Sequence, residues 1–415
     1  MGSLAILGGE ATIRDKRSHY QWPPLSDAVR EAVAIQLDDS ISIYDRSGII
    51  DRVESAFERY YNRDHALLTN AGTSALHSAF VGAQLGPGDE VIVPAYTFFA
   101  SATPLFFTGA TPILVDIRPD GNVDPTEVKR HITANTKAIV VTHMWGMPCD
   151  MEAITRIATD HDLILIEDAS HAHGARIGNQ PVGTFGTVAA FSLQAQKTVT
   201  GGEGGVLLTD EDEVFYRALM LGHYNKRCKT EIPSSHPLAR FATTGMGLKL
   251  RIHPLAAAIA AVGLRQLDEV IANRNRMAAK MTRVLSDLPG IHVAAVPANV
   301  TPTWYAFVMQ YEPAELDGLP IDVFYRALLA EGCAELDRPG STCPLAQHPL
   351  FQDPGALFPL YAAGPKYQPD DFPVAERFHS RTLKLPVWHD PSDEPLADLY
   401  LSAFSKVVER HAELL

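Results

Sequence analysis

The sequence predicts an α/β layered domain with a mainly parallel sheet, followed by a smaller α+β domain. Three observations carry this. Between about residues 65 and 210, short aliphatic runs alternate with amphipathic segments. The runs are continuous rather than alternately apolar and polar, which suits strands covered on both faces. Beyond them, a long helical pattern over 254–285 separates this region from shorter, more mixed elements.

The elements follow in order. HALLT (65–69) precedes a helical pattern from Ser74 to Leu85, and EVIVP (90–94) precedes a helix expected over Ala100 to Phe107. PILVDI (112–117), KAIVVTHM (137–144) and LILIEDA (163–169) read as strands, the last after the helical MEAITRIATDHD. TVAAFSL (187–193) and GGVLLTD (204–210) read as two more. Such alternation is that of a layered sheet with crossover helices. In the 254–285 helix, Pro254 is acceptable because the first turn lacks internal acceptors for its N–H. IHVAA, TWYAFVMQY and IDVFYRALLAEG then suggest the small domain. Residues 339–369 are rich in Pro and Gly but dotted with Leu, Phe and Tyr, so a long ordered loop is expected there. The resulting division is an N-terminal arm over 1–35, a large domain over 36–265 and a small domain over 266–415.

With 415 residues, 46% hydrophobic and 20% charged, the chain has ample material for a buried core. Its net charge of −14, from 49 acidic and 35 basic residues without Lys/Arg runs, argues against nucleic acid or an anionic membrane as main partner. Four scattered cysteines without a C-x-x-C pair suit a reducing compartment and no zinc site. The start, MGSLAILGGE, has too short an apolar stretch for a secretory signal and Ile6 where myristoylation needs Ser or Thr. No apolar run approaches the ~20 residues that span a bilayer. A cytoplasmic protein is the expectation.

Chemistry is concentrated around one lysine. Lys197 lies in SLQAQKTVTGGEGG, after a strand and before Gly201, Gly202, Gly204 and Gly205. That run is no dinucleotide fingerprint, because it leads into a strand rather than a helix. Three more features fall where such a sheet places ligands, beyond the carboxyl ends of its strands. NAGTSAL (70–76) puts Gly72, Thr73 and Ser74 at a helix start, an anion site or a simple cap. Asp168 closes the LILIE strand, as a cap, a salt-bridge partner or the partner of a cationic ring nitrogen. Phe98, after EVIVP, is core or a stacking ring. Taken singly, each feature reads as structural. In this order they match what pyridoxal phosphate needs: a phosphate cradle, a pyridinium partner and an amine nucleophile.

GPGDEVIVPAYTFFASA, LILIEDASHAHGA, AFSLQAQKTVTGGEGG and FPVAERFHSRTLKLPVW resemble the DegT/DnrJ/EryC1/StrS family of pyridoxal phosphate-dependent sugar aminotransferases, in the family's order over nearly the whole chain. The resemblance implies the aspartate-aminotransferase-like fold (type I) and a homodimer with active sites at the subunit boundary. It makes Lys197 the Schiff-base lysine, Asp168 the pyridine-nitrogen partner and Phe98 the stacking aromatic. It places His171 near the cofactor's phenolic oxygen, and Gly72, Thr73 and Ser192 on its phosphate. The family's dehydratase branch has histidine at the lysine position, so this chain is expected to transaminate. GLKLRIHPL departs from the family's Asn-aromatic-Arg step: Lys249 stands where an Asn reaches the neighbouring subunit's phosphate. A lysine still offers a point charge to a phosphate. This form, with THMWGMPCDM and GHYNKRCK, looks like the branch that aminates keto-cyclitols from L-glutamine.

Four residues remain as substrate candidates, each beside a structural reading. Arg227 in YNKRCK faces substrate or a solvated loop, with a slight lean to substrate. Arg251 binds the donor carboxylate or a structural one. Tyr44 and Arg46 in SIYDRSG contribute to the partner's site or to a helix surface. His171 and His173 lack a third ligand at metal spacing, so no metal is expected. The functional expectation is amino transfer from L-glutamine or L-glutamate to a keto-cyclitol or keto-sugar. Alternatives are a nucleotide-activated keto-sugar acceptor, another type I reaction such as an amino-acid lyase, or an inactive binding subunit.

Overall fold

The computed structural model describes residues 2–15 and 17–415. Seven strands form the central sheet: β1 (His65–Thr69), β2 (Glu90–Pro94), β3 (Thr111–Val115), β4 (Thr136–Thr142), β5 (Ile164–Asp168), β6 (Val188–Ser192) and β7 (Gly205–Thr209). Their spatial order is β1-β7-β6-β5-β4-β2-β3. The pairs from β6 to β3 are parallel, whereas β7 is antiparallel to both β6 and β1. Both faces are buried, which is why the strand sequences are continuously apolar. In β1, Leu67 faces one cluster while Ala66 and Leu68 face another; in β2, Val91 and Val93 oppose Ile92 in the same way.

Helices α1 (Gly48–Tyr61), α2 (Gly72–Gly82), α3 (Met151–Asp160) and α4 (Asp212–Gly222) cover this sheet. The helix expected over Ala100 to Phe107 is instead two short turns, Phe99–Ser101 and Leu105–Thr108. Pro104 between them lacks an N–H and disfavours helical backbone at Thr103.

The long helix α5 (Pro254–Leu285) joins two cores. Ala257, Leu264 and Ile271 pack against the sheet, whereas Met277, Met281 and Leu285 belong to the second core. A three-stranded antiparallel sheet, β8 (Ile291–Val293), β9 (Phe307–Tyr311) and β10 (Thr382–Leu385), carries that second core with helices α6 (Ile321–Ala330) and α7 (Glu394–Glu409). Leu4 and Ile13 from the N-terminal segment also pack there. The 339–369 region is ordered as short helical turns. Its Tyr361 is buried and donates to the carbonyl of Ala110 at 2.9 Å, so the region is pinned to the large sheet layer. No helix among the described residues is long and apolar enough to cross a membrane.

Candidate active site

The loops leaving the carboxyl ends of β1, β2, β4, β5 and β6 converge on one cavity of about 1150 Å³. Gly72, Thr73, Phe98, Asp168, His171, Ser192 and Lys197 all line it. Residues from positions 72 to 197 meet because parallel strands deliver every carboxyl-end loop to the same edge.

The cradle comes first. Helix α2 begins at Gly72 with Ala71 as its N-cap, so no side chain caps the first turn and its N–H groups remain for an anion. A Cβ at Gly72 would lie 2.6 Å from the Cβ of Ser192, so only glycine lets the helix start approach β6. Ser192 Oγ accepts from the Gln194 N–H at 3.2 Å, leaving its own proton to donate. Ser74 turns away: its hydroxyl donates to Asn70 at 2.7 Å, the capping-type role.

Asp168 is buried at the end of β5. Oδ2 accepts from Ser101 Oγ at 2.6 Å and Oδ1 from the Ser170 N–H at 3.1 Å. Ser101 is joined to Thr97 (2.8 Å) and Thr142 (3.2 Å), both buried. The neighbouring Glu167 is wholly buried, receives the N–H groups of Gly183, Phe185 and Gly186, and bonds the His143 ring at 3.1 Å. The Cys149 N–H donates to His143 Nδ1, so His143 Nε2 carries the proton given to Glu167.

Lys197 follows a turn closed by its N–H to the Gln194 carbonyl at 2.9 Å. Its Nζ lies 4.5 Å from the Tyr305 ring centroid. Burial pulls its pKa from 10.5 to about 8, with Asp168 opposing. A neutral, nucleophilic amine is therefore available near physiological pH. Tyr305 stacks on His171 at 4.1 Å between centroids, and Trp145 packs beside both, 5.7 Å from His171 and 6.1 Å from Tyr305. Burial, reinforced by Lys197, holds His171 well below its usual pKa, so the ring is neutral. Its Nδ1 is buried without a partner. An uncapped helix start, an ionisable acid, an unpartnered imidazole and a softened lysine fit pyridoxal phosphate in all four respects.

The glycines after Lys197 serve the chain's own packing rather than the cofactor directly. A Cβ at Gly205 would lie 2.3 Å from the Ala71 carbonyl oxygen, and one at Gly201 2.6 Å from that of Ala256. Gly202, at φ +84°, meets nothing within 4 Å and is required only by the turn.

Other candidates stand apart from the cavity. The lean toward Arg227 as a substrate residue is corrected: its guanidinium is 2% exposed and saturated by Glu54 (2.7 Å) and Glu231 (2.6 Å). Arg46 binds Glu58 at 2.8 Å, while Tyr44 and Arg251 line a separate small cavity near Arg227. Lys249 is exposed, opposite His223. Conversely, Tyr20, Trp22 and Tyr305 line the main cavity although no motif marked them, and so does Trp145 of THMWGMPCDM, which was given no site role. Their aromatic character was visible, but only the tertiary structure places residues 20 and 305 beside residue 197.

Over residues 40–401 the chain matches the DegT/DnrJ/EryC1/StrS aminotransferase family. It belongs to that family. It is a pyridoxal phosphate-dependent aminotransferase of fold type I. Among curated family members, the chain is 33% identical to the L-glutamine:2-deoxy-scyllo-inosose aminotransferase of Streptomyces kanamyceticus, over 95% of this chain and 94% of that one. It is also 33% identical to the dTDP-3-amino-3,4,6-trideoxy-alpha-D-glucose transaminase of Streptomyces venezuelae, over 81% and 82%. Among solved structures it resembles S. venezuelae DesV in complex with a ketimine intermediate, with a TM-score of 0.78 and 30% identity, covering 93% of this chain and 95% of that one. Family members thus span cyclitol and nucleotide-sugar chemistry.

Proposed function

We propose that the chain transfers an amino group from L-glutamine or L-glutamate to a ketone on a cyclitol, with Lys197 as the amine that carries the cofactor. The observation that supports this is the shared cavity of Lys197 Nζ, the Asp168 carboxylate and the Gly72–Thr73–Ser192 cradle. Bound there, the cofactor supplies an aldehyde for the donor's amine and a ring that takes up the electrons of the broken Cα–H bond. Asp168 would accept the ring nitrogen's hydrogen bond and favour its protonated form. Phe98 would cover one face of the ring, and the unpartnered His171 would bond its phenolic oxygen. Lys197 Nζ takes the proton from the donor's Cα and holds it until it is returned.

The character of the wall favours a neutral polyol acceptor. Glu203, Glu335 and Asp337 line it, while Lys384 is neutralised by Asp337 at 2.6 Å and Arg338 by Asp322. A nucleoside diphosphate needs free cations there. The second reading, a nucleotide-activated keto-sugar acceptor, rests on the identity to the dTDP-sugar transaminase. A homodimer completes the proposal, with exposed Lys249 and Tyr44 and half-buried Arg251 contributing to the partner's site. A matrix of L-glutamine and L-glutamate against scyllo-inosose-type ketones and nucleotide keto-sugars tests the reading. Turnover with only the nucleotide sugars would replace the cyclitol assignment.

A further inference from the structure

One wall of the cavity is anchored on a buried cation without a counter-ion. Arg274 on α5 is 2% exposed, and among the described residues no carboxylate lies within ion-pair distance of it. Its terminal nitrogens donate to Thr198 Oγ1 at 3.0 Å and to Tyr20 Oη at 3.1 Å. Its guanidinium carbon lies 4.6 Å from the Trp22 ring, and its Nε is buried without a partner. Arg227, equally buried, has two acids around it. Burying a guanidinium without a counter-ion is costly, and the cation–π contact with Trp22 returns only part of that cost. The region is therefore poised for an anion.

The groups that Arg274 grips face the cavity. Tyr20 and Trp22 both line it. Tyr20 Oη accepts from Arg274, so its own proton remains to be donated. The Trp22 indole N–H donates to the carbonyl oxygen of Lys197 at 3.1 Å, and Thr198, held by Arg274, is the next residue. Arg274 thus ties the Tyr20–Trp22 wall to the backbone of the lysine itself. The remaining cations of the wall are already paired, Lys384 with Asp337 and Arg338 with Asp322. Arg251, the sequence's candidate for the donor carboxylate, lies outside this cavity.

We infer that Tyr20, polarised by Arg274, receives the α-carboxylate of the amino donor. The inference rests on the proposed function, in which Lys197 handles the donor's α-nitrogen. Nitrogen and carboxylate sit on the same carbon, so the carboxylate stays close to Lys197, where Tyr20 and Trp22 form part of the wall. There the Tyr20 O–H donates to a carboxylate oxygen, and the Arg274 charge strengthens that bond through the phenol it holds.

The test mixes holoenzyme with L-glutamine or with 4-aminobutanamide, which keeps the amine and side chain but lacks the carboxylate. Each is read as the concentration that half-saturates the change in lysine-linked absorbance. In Tyr20→Phe and Arg274→Gln that concentration rises tenfold or more for L-glutamine and stays within twofold for 4-aminobutanamide. The limiting rate changes less than threefold, and Arg274→Lys recovers part of the loss. A Tyr20→Phe enzyme with normal absorbance and an unchanged preference for L-glutamine overturns this inference alone. Wild-type protein without any lysine-linked absorbance overturns the functional reading beneath it.

Discussion

Ser101 donates its hydroxyl to Oδ2 of Asp168 at 2.6 Å, and that hydroxyl ends a buried chain formed with Thr97 and Thr142. Thr97 donates to Thr142 Oγ1 at 3.0 Å and Thr142 to Ser101 Oγ at 3.2 Å, so the hydroxyls run in sequence toward the carboxylate. Each bond polarises the next, and the last, from Ser101, holds Asp168 Oδ2 in a single orientation. A hydrogen bond to a charged group contributes about 1.5–3 kcal/mol. Ser101→Ala is expected to slow both half-reactions by one to two orders of magnitude while the cofactor stays bound to Lys197. Stopped-flow absorbance of each half-reaction checks this, and wild-type rates would show that the hydroxyl chain has no part in orienting Asp168.

Lys197 makes stability depend on pH in the cofactor-free protein. Burial lowers its native pKa to about 8 from the unfolded 10.5, so between those values the unfolded chain holds more protons. Stability therefore rises with pH through that window. Lys197→Met removes the buried charge at similar volume. The variant is expected to be more stable than the parent by about 3 kcal/mol below pH 8, the difference fading toward pH 10.5. Urea unfolding of both apoproteins at pH 7 and pH 10 measures it; a pH-independent difference would contradict the shift.

Two glycines three positions apart, Gly202 and Gly205, should behave differently. Gly205→Ala drives a methyl against the Ala71 carbonyl oxygen and the Gly72 nitrogen, 2.3 and 2.8 Å away, and so displaces the cradle. Cofactor affinity is expected to fall at least tenfold. Gly202→Ala meets open space and costs only the left-handed backbone, about 1–2 kcal/mol of stability, with affinity unchanged. Titrating each apoprotein with pyridoxal phosphate separates the two; equal affinities would remove the cradle argument.

Arg227→Met leaves Glu54 and Glu231 facing one another inside the protein. Breaking one side of a buried pair typically costs 3–5 kcal/mol. Because Arg227 lies outside the main cavity, the folded fraction is expected to keep the wild-type KM for donor and acceptor. Thermal unfolding and steady-state kinetics test the two halves; a raised KM with unchanged stability would restore a substrate role.

The local signals in this sequence are those whose physics is local. Continuous aliphatic runs marked β1 to β7 because strands covered on both faces leave no polar side, and the helical repeat over 254–285 marked α5. Gly72 and Lys197 were legible through motifs that follow strands, since a parallel sheet sends such turns to one edge. Contacts between distant residues were not legible. Nothing in a lone Arg227 distinguishes a solvated guanidinium from one saturated by Glu54, 173 positions away. Nor does an arginine in the middle of a long helix announce that it holds Tyr20 and backs the residue after Lys197. Side-chain type and spacing determined the fold class and the inventory of chemical groups. Which cations keep a free charge, and which aromatic rings wall the cavity, was decided only when folding brought the N-terminal segment, α5 and the Lys197 turn together, because ion pairing and burial depend on separation in space.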